Sequence, residues 1–244
     1  MNSPNPIISP GKYVFAFEDG DGSNKMLLGG KGANLCEMTQ IGINVPPGFV
    51  ISTEACHYYL DNADREMPAG VMDEVRTQMR ALEKKTGKTF GGSENPLLIS
   101  VRSGSAMSMP GMMDTILNLG LNIDTLKALI AQTGNERFGW DAYRRFIQLF
   151  GKVALGVPDE AFDAEFESVK TKAGAKQDVA LTARDLREIS DRFLEVVEQE
   201  TGNPFPDDPM EQLEIAIKAV FGSWTGKRAV DYRREFNITP DMAN

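Results

Sequence analysis

Apolar positions change their spacing partway along the 244-residue chain. Up to about residue 122, short apolar runs are punctuated by glycine and proline. Tyr13 to Phe17 (YVFAF), closed by Glu18-Asp19-Gly20-Asp21-Gly22, predicts a strand. A helix is expected from about Ala33 to Ile41, with Leu35, Met38 and Ile41 on one face and Gly42 just past its end. Pro46-Pro47-Gly48 breaks the chain before a second strand, Phe49 to Ser52. Thr53 is expected to cap a helix that carries Cys56, Tyr59 and Leu60. Val71 to Thr86 predicts a longer helix, with Val75, Met79 and Leu82 on one side and Gly87 at its end. Leu97 to Val101 (LLISV) predicts a buried strand, and Ile116 to Leu119 one more.

From Asp124 onward the period is helical. Helices are expected over Asp124 to Gln132, Arg137 to Val153, Asp159 to Lys172 and Thr182 to Thr201. Tyr143, Phe146, Ile147 and Phe150 mark one face of the second, and Thr182-x-x-Asp185 opens the fourth as a capping box. A proline-dense break, Asn203 to Pro209, precedes two more, Glu211 to Trp224 and Lys227 to Phe236. The expected fold class is a mixed α/β (α+β) unit interrupted by an all-helical insert. Residues 1–122 form the α/β subdomain, 123–207 the helical insert, and 208–244 a return segment packing on the first subdomain.

Composition narrows the chemistry. Lys plus Arg is 26 and Asp plus Glu is 35, so the formal net charge is −9. That balance argues against general nucleic-acid or membrane-surface binding, while a few local cations can still hold a small anion. The single histidine, His57, excludes a His-rich metal site. The two cysteines, Cys36 and Cys56, form no CxxC pair, so a cytoplasmic protein with reduced thiols is expected. Met1 to Gly11 lacks the apolar run of a signal peptide, and no stretch approaches the roughly 18 apolar residues of a membrane span.

Two segments depart from core patterning. Leu28-Gly29-Gly30-Lys31-Gly32-Ala33-Asn34-Leu35 places three glycines around one lysine before a helix. Glycine lets backbone approach a ligand, a helix start offers N–H groups to an anion, and Lys31 supplies a mobile charge. It matches neither a Walker A loop nor the dinucleotide fingerprint, and a glycine-rich turn with a solvated lysine reads equally well. The second segment runs from Ser100 to Thr115 (SVRSGSAMSMPGMMDT). Arg102 at a strand end can grip phosphate oxygens in a bidentate fork, and the serines and glycines can wrap the rest. The methionines at 107, 109, 112 and 113 offer either a soft face for a base or flexible filling for core gaps.

With KMLLGGKGANLCEM, VPPGFVIST, LLISVRSGSAMSMPGMMDTILNLGLN, the YRRF of Tyr143 to Phe146, and AVFGSWTGKRAVDYRR, the chain resembles the N-terminal part of the pyruvate, phosphate dikinase family. The resemblance runs from about Tyr13 to Asn237. Phosphoenolpyruvate synthases and glucan dikinases share the GGKG and RSG elements but resemble the chain less. The resemblance implies an ATP-grasp-type N-terminal subdomain, incomplete here, that binds ATP. Lys31 and Arg102 would be the catalytic phosphate contacts. Met113 and the loop from Ser105 to Met112 would lie along or over the nucleotide, Ser103, Asp114 and Thr115 would help bind it, and Arg145 would assist the phosphate end.

Such enzymes convert ATP, phosphate and pyruvate to AMP, pyrophosphate and phosphoenolpyruvate through a carrier histidine, with Mg²⁺. Family members are several times longer, and homo-oligomeric. The rest of the grasp domain with its metal ligands, the phosphohistidine domain and the phosphoenolpyruvate/pyruvate barrel are therefore expected outside this chain. His57 sits in TEACHYY, without the flanking Gly/Thr/Ser residues of the carrier site. The chain alone is expected not to complete the cycle. The alternatives are a standalone non-catalytic nucleotide-binding or regulatory module, or the corresponding part of a phosphoenolpyruvate-synthase-like enzyme.

Overall fold

A computed structural model describes residues 11–107 and 109–238. The first ten residues, Ser108 of the methionine-rich loop and the final 239–244 segment lie outside the described residues, together with the sequence expectations that fall on them. The architecture is mixed α and β and predominantly helical, with six short strands among the described residues paired two by two. Chain contacts divide it into two compact units. The first takes 11–82 with 104–107 and Ile238; the second takes Glu83–Ser103 and Met109–Asn237.

In the first unit β1 (Val14–Ala16) pairs antiparallel with β2 (Phe49–Ile51), Phe15 opposite Val50. Helix α1 (Lys25–Gln40) packs on this ribbon through a core of Phe17, Leu28, Ala33 and Cys36, with Val50 against it. It begins well before Ala33, where the apolar spacing placed it. Asn24 caps a first turn, the chain breaks out of helical geometry at Gly29, and the helix resumes at once. Helix α2 (Thr53–Asp61) is capped by Ser52, not Thr53: the Ser52 hydroxyl accepts from the Ala55 N–H at 3.4 Å. The Thr53 hydroxyl instead donates to the Met26 carbonyl at 2.6 Å, tying α2 to the first turn of α1. Helix α3 (Val71–Thr86) buries Val71, Val75, Met79 and Leu82 along one stripe. Its Glu74 carboxylate accepts from the N–H groups of Tyr13 and Val14, at 3.0 and 2.8 Å, so a side chain takes donors that no strand pairs.

In the second unit the expected LLISV strand is two strands with different partners. β4 (Pro96–Leu97) runs parallel to β3 (Thr89–Phe90), whereas β5 (Ile99–Arg102) pairs antiparallel with β6 (Thr115–Leu119). A register shift between Ile99 and Val101 bends β5, and its residues alternate between half-buried and exposed. Six helices follow: α4 (Ile123–Thr133), α5 (Glu136–Ala154), α6 (Asp159–Lys172), α7 (Ala183–Thr201), α8 (Pro209–Gly222) and α9 (Lys227–Glu235).

Helix α5 is the hub, contacting α4, α6, α7, α8 and β6. Its buried stripe of Trp140, Tyr143, Phe146, Ile147 and Phe150 follows the helical period. Phe146 and Phe150 meet Phe205 of the proline-rich break, with ring centroids 5.6 and 5.3 Å apart. Phe162 and Phe193, both fully buried, meet edge-on at 5.0 Å. Thr182 and Asp185 close both arms of the capping box that opens α7.

Helix α8 returns against β5 and β6. Its buried Gln212 accepts from the Gly120 N–H at 3.0 Å and donates to the carbonyls of Leu121 and Pro206. One amide thereby satisfies three buried backbone groups, two just past β6 and one in the proline-rich break. Among the described residues no helix is long and apolar enough to cross a membrane.

Candidate functional site

The glycine–lysine segment is built by backbone packing. Gly29 sits at φ +67° and ψ 162°, a region that only glycine occupies readily. A Cβ there would fall 1.4 Å from the Gly104 carbonyl oxygen. The next residue donates its N–H to the Ser105 carbonyl at 2.9 Å. Gly32 faces Val50, whose Cγ1 would stand 2.8 Å from an added Cβ. The sequence left open whether these glycines admit a ligand or simply form a turn. In the fold they admit other parts of the chain: Gly29 and Gly30 take the 104–106 loop, and Gly32 takes β2. Lys31 comes out of this arrangement on the exposed side of α1, in the first turn after the break. Ser105 closes the loop by donating to the Met107 carbonyl.

Arg102 and Ser103 belong to the second unit, with Met113, Asp114, Thr115 and Arg145. Arg102 is the last residue of β5, is exposed, and faces Thr115, the first residue of β6, across the ladder. The methionines share no single environment. Met109 is 7% exposed and Met107 is 43% exposed, while Met112 and Met113 are half-buried. Met109 therefore fills core space, as methionine commonly does.

Asp114 is held by residues the sequence reading did not single out. Its carboxylate pairs with Arg228 at 2.6 Å, and its N–H donates to the Ser223 hydroxyl at 3.3 Å. Arg228 also donates to the Gly111 carbonyl at 3.4 Å. These partners are more than 100 positions away in sequence, so no local pattern points to them.

The two arginines of YRRF divide. Arg144 is buried, bonded to Asp141 at 2.9 Å, with its guanidinium 4.9 Å from the Phe166 ring centre. Arg145 is exposed and meets the same carboxylate at 3.1 Å. A solvated face describes Arg145 but not Arg144. His57 lies half-buried on α2.

The chain resembles known proteins over nearly its whole length. A family model described as "Pyruvate phosphate dikinase, AMP/ATP-binding domain" matches residues 25–67 and 63–243. A pyruvate, phosphate dikinase of Entamoeba histolytica is 61% identical over 231 residues, covering 95% of this chain and 26% of its own length. Pyruvate, phosphate dikinase 1, chloroplastic, of Zea mays is 48% identical, over 96% of this chain and 25% of its own length. The dikinase of Rhizobium meliloti is 47% identical, over 93% and 26%. The chain thus spans about a quarter of the length of the curated relatives it matches. With the family match running from α1 through α9, the chain belongs to the pyruvate phosphate dikinase AMP/ATP-binding domain family.

Proposed function

We propose that this chain supplies the ATP-phosphate contacts of a dikinase that converts ATP, phosphate and pyruvate to AMP, pyrophosphate and phosphoenolpyruvate. One observation carries the reading. The helix turn bearing Lys31 and the loop following Arg102-Ser103 are fastened backbone to backbone, by Gly30 N–H to Ser105 carbonyl and by the close approach of Gly29 and Gly104. Both cations stay exposed. A triphosphate needs cations that are near the surface yet held on stiff backbone, and phosphoryl transfer rests on positioning and charge neutralisation. Lys31 acts as a point charge and Arg102 as a fork on the phosphate oxygens. Ser103, Met113, Asp114 and Thr115 lie along the nucleotide, and Arg145 assists its phosphate end. In fold terms this is the first part of an ATP-grasp architecture, with 123–207 as a helical insert.

The transfer also calls for Mg²⁺. Among the described residues no three His, Cys, Asp or Glu side chains stand together to hold a metal. We place its ligands on the remainder of the dikinase, with the carrier histidine and the pyruvate site, in a homo-oligomeric parent. We place the protein in the cytoplasm, which fractionation of the source cells tests.

Half-reactions test the proposal. In the complete gene product, Arg102→Ala and Lys31→Ala slow the ATP-dependent half-reaction by roughly 10- to 150-fold each, from losing charge-assisted bonds worth about 1.5–3 kcal/mol. Exchange between pyruvate and phosphoenolpyruvate stays near wild type. Equal damage to both halves contradicts the assignment.

A further inference from the structure

We propose that Arg228 is a positioning residue for the nucleotide site. It fixes Asp114, and with it the entry to β6 that carries Met113 and Thr115. The inference rests on the reading of the site given above.

The 111–114 segment has few internal ties. Gly111 sits at φ +73°, and Met112 N–H reaches the Met109 carbonyl at 3.2 Å. Its position is set instead from 223–228. The Ser223 hydroxyl donates its one proton to the Val220 carbonyl at 2.7 Å, which leaves its oxygen to accept from Asp114 N–H. Arg228 spans the segment, with one guanidinium nitrogen on the Asp114 carboxylate and another on the Gly111 carbonyl.

The platform behind these contacts is firm. Trp224 is buried, and Arg233 both stacks on its ring at 4.1 Å and donates to its carbonyl at 2.8 Å. Ala229, next to Arg228 on α9, is fully buried. The Arg228 side chain is itself 63% exposed and that of Asp114 26%. An ion pair in that setting adds little to fold stability, so its consequence is geometric. It holds a carboxylate and a backbone turn in one arrangement and neutralises the carboxylate beside a site meant for an anion.

Steady-state kinetics on the complete gene product test this, with Lys31→Ala and Arg102→Ala as references. Arg228→Ala raises KM for ATP roughly fivefold, within the coupling range of residues in direct contact. The value of kcat stays within about twofold and the melting temperature within about 2 °C, as for other exposed pairs. Arg228→Lys, which keeps a charge on the Asp114 carboxylate but cannot also span to the Gly111 carbonyl, recovers part of the affinity. In an Asp114→Asn background, Arg228→Ala has little further effect, because Arg228 acts through that carboxylate. Additive effects, a KM for ATP unchanged by Arg228→Ala, or a loss confined to stability overturn the inference. If the wild-type protein lacks an ATP reaction that depends on Lys31 and Arg102, the reading of the site fails and this inference falls with it. If that dependence holds and Arg228→Ala is silent, only this inference falls.

Discussion

Gly29→Ala is the sharpest probe of how the Lys31 turn is built. The new Cβ would stand 1.4 Å from the Gly104 carbonyl oxygen, whereas ordinary contact begins near 3.4 Å. The loop must therefore retreat by roughly 2 Å, which breaks the 2.9 Å bond from Gly30 N–H to the Ser105 carbonyl. The glycine-only backbone costs about 1–3 kcal/mol for alanine and the lost bond about 0.5–1.5, offset by about 0.4–1 from a stiffer unfolded chain. The net is a destabilisation of about 0.5–4 kcal/mol, or about 2–4 °C of melting temperature for each kcal/mol in a chain of this size.

Gly42→Ala is the control, because Gly42 also has positive φ (+83°) but nothing within 4 Å of an added Cβ. Urea unfolding followed by circular dichroism compares the two. Gly29→Ala should be the less stable by at least about 0.5 kcal/mol, since only it meets the loop backbone. It should also lose ATP affinity by as much as Lys31→Ala does. Equal stability of the two variants would refute the backbone apposition of Gly29 and Gly104.

Two further outcomes follow from the helical part. Arg144→Ala costs about 2–3 kcal/mol in urea unfolding, from the Asp141 bond and the Phe166 stacking, whereas Arg145→Ala costs less than about 1 because its ion pair is exposed. Similar costs for both would contradict the burial of Arg144. In alkali, burial pushes the Cys56 thiol up to about 12, and burial, aided by Asp207 and Asp191, pushes the Tyr143 hydroxyl up to about 12. Both groups are raised in the folded state, so the fold favours their neutral forms. Their contribution is complete below the unfolded values, 9.0 and 10.0, and is lost as pH climbs toward 12. Tyr143→Phe should flatten the fall in urea midpoint between pH 9 and pH 11, and an unchanged slope would contradict this.

How much was legible in the sequence depended on the range of the signal. Val71–Thr86 and Asp159–Lys172 fall where periodicity placed them, because a helix with a long apolar face is specified by its own residues. The start of α1 was not legible, since Gly29 interrupts the helix after one turn and splits its pattern. Ser52 and Thr53 are both capping residues. What selects Ser52 is its extended backbone and the reach of the Thr53 hydroxyl to Met26, which is tertiary information. LLISV reads as one buried strand because apolar runs do not name their partners; β3 takes one end and β6 the other.

At the candidate site, local sequence left Lys31 open between a ligand contact and a solvated turn, and the resemblance supplied the roles of Lys31 and Arg102. What the glycines approach, and that Ser223 and Arg228 hold Asp114, are contacts across long chain separations with no local signature.

The central claim, that Lys31 and Arg102 hold ATP phosphates, is tested most directly by calorimetric titration of Mg-ATP into the complete gene product. Wild type should bind. The Lys31→Ala/Arg102→Ala double variant, folded by circular dichroism, should bind at least about a hundredfold more weakly, the sum of two charge-assisted contacts. An undiminished affinity in the double variant would contradict the account.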